Sequence, residues 1–157
     1  MKPVSVSVPQ ILNVFPNNER GAEIVEFRLY ETATAEANIK KLPLRFVFYR
    51  GITANTPPAT PNLAADYAVN PITDLAVAGI IRVTAADYKF ISDGIYEVTL
   101  NASSIVSNGG NAHMVGGVGS AGRDLYAVAL YDSTTTGGAY AASATLDIEI
   151  VSEYEVG

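Results

Sequence analysis

Hydrophobic and polar side chains alternate with a period of two wherever a pattern can be read along this chain, and that period marks half-buried β-strands. Residues 4–8, VSVSV, alternate without a break. Residues 23–31, EIVEFRLYE, set Val25, Phe27 and Leu29 on one face against Glu26 and Arg28 on the other. In residues 42–50, Leu42, Leu44, Phe46 and Phe48 point one way and Arg45 the other. Residues 94–102 put Tyr96, Val98 and Leu100 opposite Glu97, Thr99 and Asn101. The last run, residues 144–156, carries Leu146, Ile148, Ile150 and Tyr154 on one face and Asp147, Glu149, Glu153 and Glu155 on the other. It is long for a single strand and is expected to bend or to project beyond the domain.

One run breaks the rule. Residues 124–132, DLYAVALYD, are apolar on both faces, which predicts a strand covered on both sides. One cover is the opposing sheet; the other is a helix, a loop or a neighbouring subunit.

The joints between these runs are rich in Gly, Pro, Asn and Ser: PNNERG, SDG, SNGGN, GGVGSAG and TTTGG. Helical patterning is weak. Residues 62–69 have length for two turns, Thr84 is placed to cap a short turn over residues 84–91, and residues 32–41 read as a loop or short helix. Residues 52–62, with Pro57, Pro58 and Pro61, read as a long surface loop. Together these features predict one all-β domain over residues 1–157: a single β-sandwich, jelly-roll-like, with few or no helices. Strand order is left open.

Composition changes the picture in three ways. Hydrophobic residues make up 48% of the chain and charged ones only 17%, which points to a surface partly covered by sister subunits. Residues 1–89 hold nine basic and eight acidic side chains, whereas residues 90–157 hold one basic (Arg123) and eight acidic. That acidic balance argues against nucleic-acid binding, which needs clustered Lys and Arg. There is no cysteine, so disulfides and thiolate chemistry are excluded. The N-terminal stretch lacks the continuous apolar core of a secretion signal, and no run approaches the ~18–20 apolar residues of a membrane span, so no membrane partner is expected.

Four motifs invite a chemical reading. Gly117, Gly119 and Gly122 have the spacing G-x-G-x-x-G, but a period-two run follows them where a dinucleotide site needs a helix. His113, the single histidine, sits in a glycine-rich stretch ill-suited to hold a general base. The alternating acids of the last run fit a solvated or edge-protecting face better than a carboxylate pair or calcium site. Asn101-Ala102-Ser103 matches a glycosylation sequon without a secretion signal to give it meaning. No catalytic residue, cofactor or metal site is expected.

Residues 78–151 resemble the C-terminal half of small β-sandwich proteins that decorate, or cement, the heads of tailed bacteriophages. The likeness lies in Ala78-Gly79-Ile80-Ile81, the V-x-A-A-D-Y segment at Val83 and Ala85–Tyr88, the LYAVAL run at Leu125–Leu130, a Ser/Thr/Gly/Tyr turn, and the closing L-x-I-x-I at Leu146–Ile150. The resemblance implies a homotrimer on the outer surface of a virion, whose partner is the major capsid protein. On that reading residues 1–10 form a capsid-binding extension, with Lys2, Pro3, Val4, Val6 and Val8 adding a strand to the shell and Arg45 and Arg50 as further contacts. The doubly apolar strand, through Leu125, Tyr126, Val128, Leu130 and Tyr131, would meet sister subunits. The alternative is a carbohydrate- or receptor-binding jelly-roll module of a virion fibre or spike, with residues 107–122 and 134–140 forming its site and Tyr140 stacking on a sugar. A shell-forming single jelly roll fits less well, because the chain has no basic N-terminal arm.

Overall fold

The computed structural model describes residues 1–5, 7–12, 14–15, 21–50, 60–68, 77–116, 124–132 and 140–154. Among them are nine strands: β1 (Gln10–Ile11), β2 (Gly21–Thr32), β3 (Leu44–Arg50), β4 (Val77–Val83), β5 (Lys89–Ser92), β6 (Ile95–Asn101), β7 (His113–Val115), β8 (Leu125–Tyr131) and β9 (Thr145–Tyr154). A six-residue helix, α1 (Ala102–Ser107), and 3-10 turns at Glu36–Asn38 and Ala85–Asp87 complete the described elements. The chain is an all-β sandwich. One sheet runs β1-β8-β3-β4; the other runs β5-β6-β2-β9, with β7 continuing the β6 side of β2. All pairings are antiparallel.

The core between the sheets follows the alternation, with one correction. Ile24 and Glu26 of β2 face consecutive residues of β9, Ser152 and Val151, so Val25 is the extra residue of a β-bulge. The bulge reverses the parity of everything before it. Ala22 and Ile24 face the core on one side of it, and Phe27, Leu29 and Glu31 on the other, while Val25 is only half-buried. Phe27 meets Phe46 of β3 across the sandwich at 5.3 Å between ring centroids. Leu44, Phe48, Ile81, Val98, Leu100, Ile105, Met114 and Leu125 close the same core.

Polar chemistry fixes the joints. Asp87 accepts hydrogen bonds from the Thr84 N–H (2.7 Å) and hydroxyl (2.9 Å), the capping that the sequence predicts at Thr84. Residues 62–68 form no two-turn helix. The Asn62 side chain accepts from the Ala64 N–H and its carbonyl from the Ala65 N–H, which ends the structure after a single turn. Asn101 caps α1 by accepting from the Ser104 N–H (2.8 Å). Beyond α1 the chain seams the two sheets: Asn111 donates its N–H to the Ile80 carbonyl of β4 (2.7 Å), and Ala112 accepts from the Ile24 N–H of β2 (2.7 Å). Gly110 makes that approach possible, since a Cβ there would run into the Ile80 carbonyl oxygen. Of the loop at 52–62, residues 52–59 lie outside the described residues.

Candidate functional site

The N-terminal segment is part of the sheet rather than a free arm. Tyr131 donates its N–H to the Lys2 carbonyl (3.0 Å), Val4 donates to Ala129 (2.9 Å), and Ala127 donates to Pro9 (3.0 Å). Pro3 forms a bridge with Leu130, and β1 pairs with Tyr126 and Leu125. Gln10 Nε2 adds a bond to Asp124 (2.8 Å). Pro3 is buried, and Lys2, Val4 and Val8 are half-buried along this edge, while Val6 lies outside the described residues.

The second cover of the doubly apolar strand is the chain itself. Tyr126, Val128 and Leu130 pack with Val47 and Tyr49 of β3 in a second cluster, against which Val8, Tyr67, Val77 and Ile80 lie. Tyr67 donates its N–H to the Met1 carbonyl (2.8 Å) and its hydroxyl to Tyr49 (2.9 Å), tying residues 60–68 and the N-terminus over this face. Leu125, Tyr126, Val128 and Leu130 are each 5% exposed or less in the isolated chain. Side chains so covered have little surface left to bury against a sister subunit, whereas Tyr131 remains half-exposed.

The two arginines expected to reach a shell are engaged within the chain. Arg45 and Arg82 stand directly opposite each other on β3 and β4, a like-charge pair that needs an anion. Asp132, just past β8 and with its side chain 8% exposed, supplies it, taking Arg45 Nη2 at 3.0 Å and Arg82 Nε at 2.7 Å. Arg50 donates to the Gly116 carbonyl (2.7 Å).

Two polar groups lie deep at one end of the sandwich. Glu31 is fully buried, and its two carboxylate oxygens accept the N–H groups of Lys40 (2.6 Å) and Lys41 (2.9 Å), closing the loop between β2 and β3. Beside it Tyr88 donates to the Leu42 carbonyl (2.8 Å), and burial pushes its phenol well above the ordinary value. Tyr140, expected to stack on a sugar, instead stacks on Tyr131 at 6.1 Å, with its hydroxyl buried. Its phenol is also raised, chiefly by burial. Only the hydroxyl is enclosed: Tyr140 as a whole is half-buried and lines a hollow with Val4, Ser5 and Leu146.

His113 lies exposed on β7 opposite Glu23, and the glycines at 117, 119 and 122 lie outside the described residues. Among the described residues no three His, Asp or Glu side chains gather as metal ligands. The open side of the sandwich, between the N-terminal segment and β9, holds a cleft of about 260 Å³ lined by Phe46, Ala127, Ala129, Leu146 and Ile148, with Ser5 and Asp147 among its polar groups. A second hollow of about 230 Å³ adjoins it through Val4, Ser5 and Leu146. Sequence reasoning missed this cleft because it arises from a mismatch in strand register, not from a residue pattern. It also missed the exposed apolar tip of the β5–β6 hairpin, where Phe90, Ile91 and Ile95 are 58%, 52% and 37% exposed. A bulge at Ile91, between the Phe90–Tyr96 and Ser92–Ile95 pairs, marks that tip.

The fold and these surfaces define a two-sheet β-sandwich whose distinctive features lie at sheet edges. No protein-family model, curated protein or solved structure matches the chain.

Proposed function

We propose that this chain is a structural virion protein that decorates the outside of a bacteriophage capsid as a homotrimer, binding the major capsid protein and tying neighbouring shell subunits together. The observation that carries the reading is the β5–β6 hairpin, which presents Phe90, Ile91 and Ile95 outward at a sheet edge. Large apolar side chains displayed on an edge hairpin suit contact with another protein surface. The strand pattern of residues 78–151 supports the same class. With Leu125, Tyr126, Val128 and Leu130 buried inside the chain and Arg45 and Arg50 engaged, the hairpin replaces them as the principal contact, and the N-terminal edge supplies a second. Multivalent seating of the trimer raises affinity for an assembled shell above that for a lone capsid subunit.

The test is cosedimentation with heads assembled from the capsid gene neighbouring this one. Saturable binding that is lost in Phe90→Ser/Ile91→Ser, while native mass measurement still gives a trimer, supports the reading. A genomic neighbourhood with no capsid gene, or full-length protein that stays in the supernatant, overturns it.

A further inference from the structure

We propose that the free edge of β9, with the cleft beside it, receives an extended segment of a partner protein bearing Lys or Arg, added as a further strand. This inference does not rest on the capsid reading.

The first ground is backbone geometry. Among the described residues β9 pairs only with β2, so no described strand satisfies the N–H and C=O groups on its other edge; toward its C-terminal end the Ser152 hydroxyl donates to the Val14 carbonyl (3.3 Å). The second is incomplete burial. Leu146, Ile148 and Ile150 point toward the core yet remain half-exposed, while Leu29 and Phe27, their register partners for Ile148 and Ile150, are fully buried.

The third ground is why the cleft exists. Val4 bonds to Ala129 and Pro9 to Ala127, so the two bonds are five residues apart on the N-terminal segment but only two apart on β8, a mismatch in register. Beside that mismatch Ala127 and Ala129, with their small side chains, floor the cleft next to Leu146 and Ile148, and Ser5 and Ser7 line it. An added strand would drop alternate side chains into that space while pairing with β9.

Charge selects the occupant. Glu149 and Glu153 are exposed on the outer face, Asp147 is exposed and also borders the cleft, and none of the three forms an ion pair among the described residues. Arg28, register partner of Glu149, is paired with Glu26. A second copy docking β9 against β9 would keep outer residues with outer residues, bringing acids against acids, which is destabilising. The same carboxylates attract a strand with cationic side chains on that face. Acids there would also serve as plain edge protection, but that role needs no apolar cleft on the opposite face.

The probe is a short peptide of alternating Lys and Val, tested on the full chain by fluorescence anisotropy and amide hydrogen exchange. Saturable, salt-sensitive binding with slowed exchange over residues 145–153 is expected. Glu149→Lys/Glu153→Lys should weaken it by at least about tenfold, and a Glu-for-Lys peptide should not bind. No binding of the Lys peptide, binding indifferent to the double variant, or protection confined to other strands overturns the proposal. So does self-association that protects β9 without peptide, because the occupant is then a second copy.

Discussion

Glu36 secures the turn between β5 and β6 from a distance in sequence, accepting the Gly94 N–H at 2.9 Å and the Tyr96 hydroxyl at 2.7 Å. Those bonds, the backbone one first, favour the carboxylate and lower its pKa from the ordinary 4.5. Because the folded value lies below the unfolded one, the stabilisation is complete above pH 4.5 and fades as pH falls through the folded value. Urea-unfolding midpoints of wild type and Glu36→Gln should therefore differ most near neutrality and converge on acidification. Curves that stay parallel to the lowest pH would show that the ionised form contributes nothing. Glu31 shows what one residue does and does not disclose. Its parity with Phe27 and Leu29 places it inward, but its partners are N–H groups of a loop backbone, on which side-chain pattern is silent.

At the level of elements, alternation located the long strands β2, β3, β6 and β9, since each has one face packed on the common core, and a run apolar on both faces located β8. It failed at Val25, because a bulge spends one residue without a change in hydrophobicity and so shifts the phase unseen. The helix α1 was missed because the Asn101-Ala102-Ser103-Ser104 run reads equally as a sequon and as an N-cap. The SDG turn was legible through its glycine. Gly94 has φ of +74°, and a Cβ there would also strike the Ala33 carbonyl oxygen, whose own N–H donates to Gly94. Gly94→Ala should cost roughly 1–3 kcal/mol, counting backbone strain and the clash. Chemical denaturation checks it, and a loss below about 0.5 kcal/mol would mean that the hairpin shifts freely away from β2.

For the whole molecule, the doubly apolar strand was correctly read as covered on both faces, but the choice among covers lay beyond the sequence. The deciding contacts join residues 1–8 and 60–68 to β3 and β8, and no local pattern encodes such distant partners. The described N-terminal edge makes a measurable claim. Deleting residues 2–8 removes the Lys2 and Val4 bonds to β8 and strips Val8 from the second cluster. A loss of about 2–4 kcal/mol in unfolding free energy is expected from two hydrogen bonds and the uncovered apolar surface. An unchanged denaturant midpoint would mark the segment as dispensable to the fold. The same pairing has a consequence for biosynthesis. Residues 2–11 leave the ribosome well before their hydrogen-bonding partners in β8, which are translated only after more than a hundred further residues, and β9, which flanks β2 along its length, comes later still. The sandwich therefore closes only after β9 has emerged. Until then the nascent chain carries unpaired strands, and its protection from premature association depends on whatever attends it as it emerges.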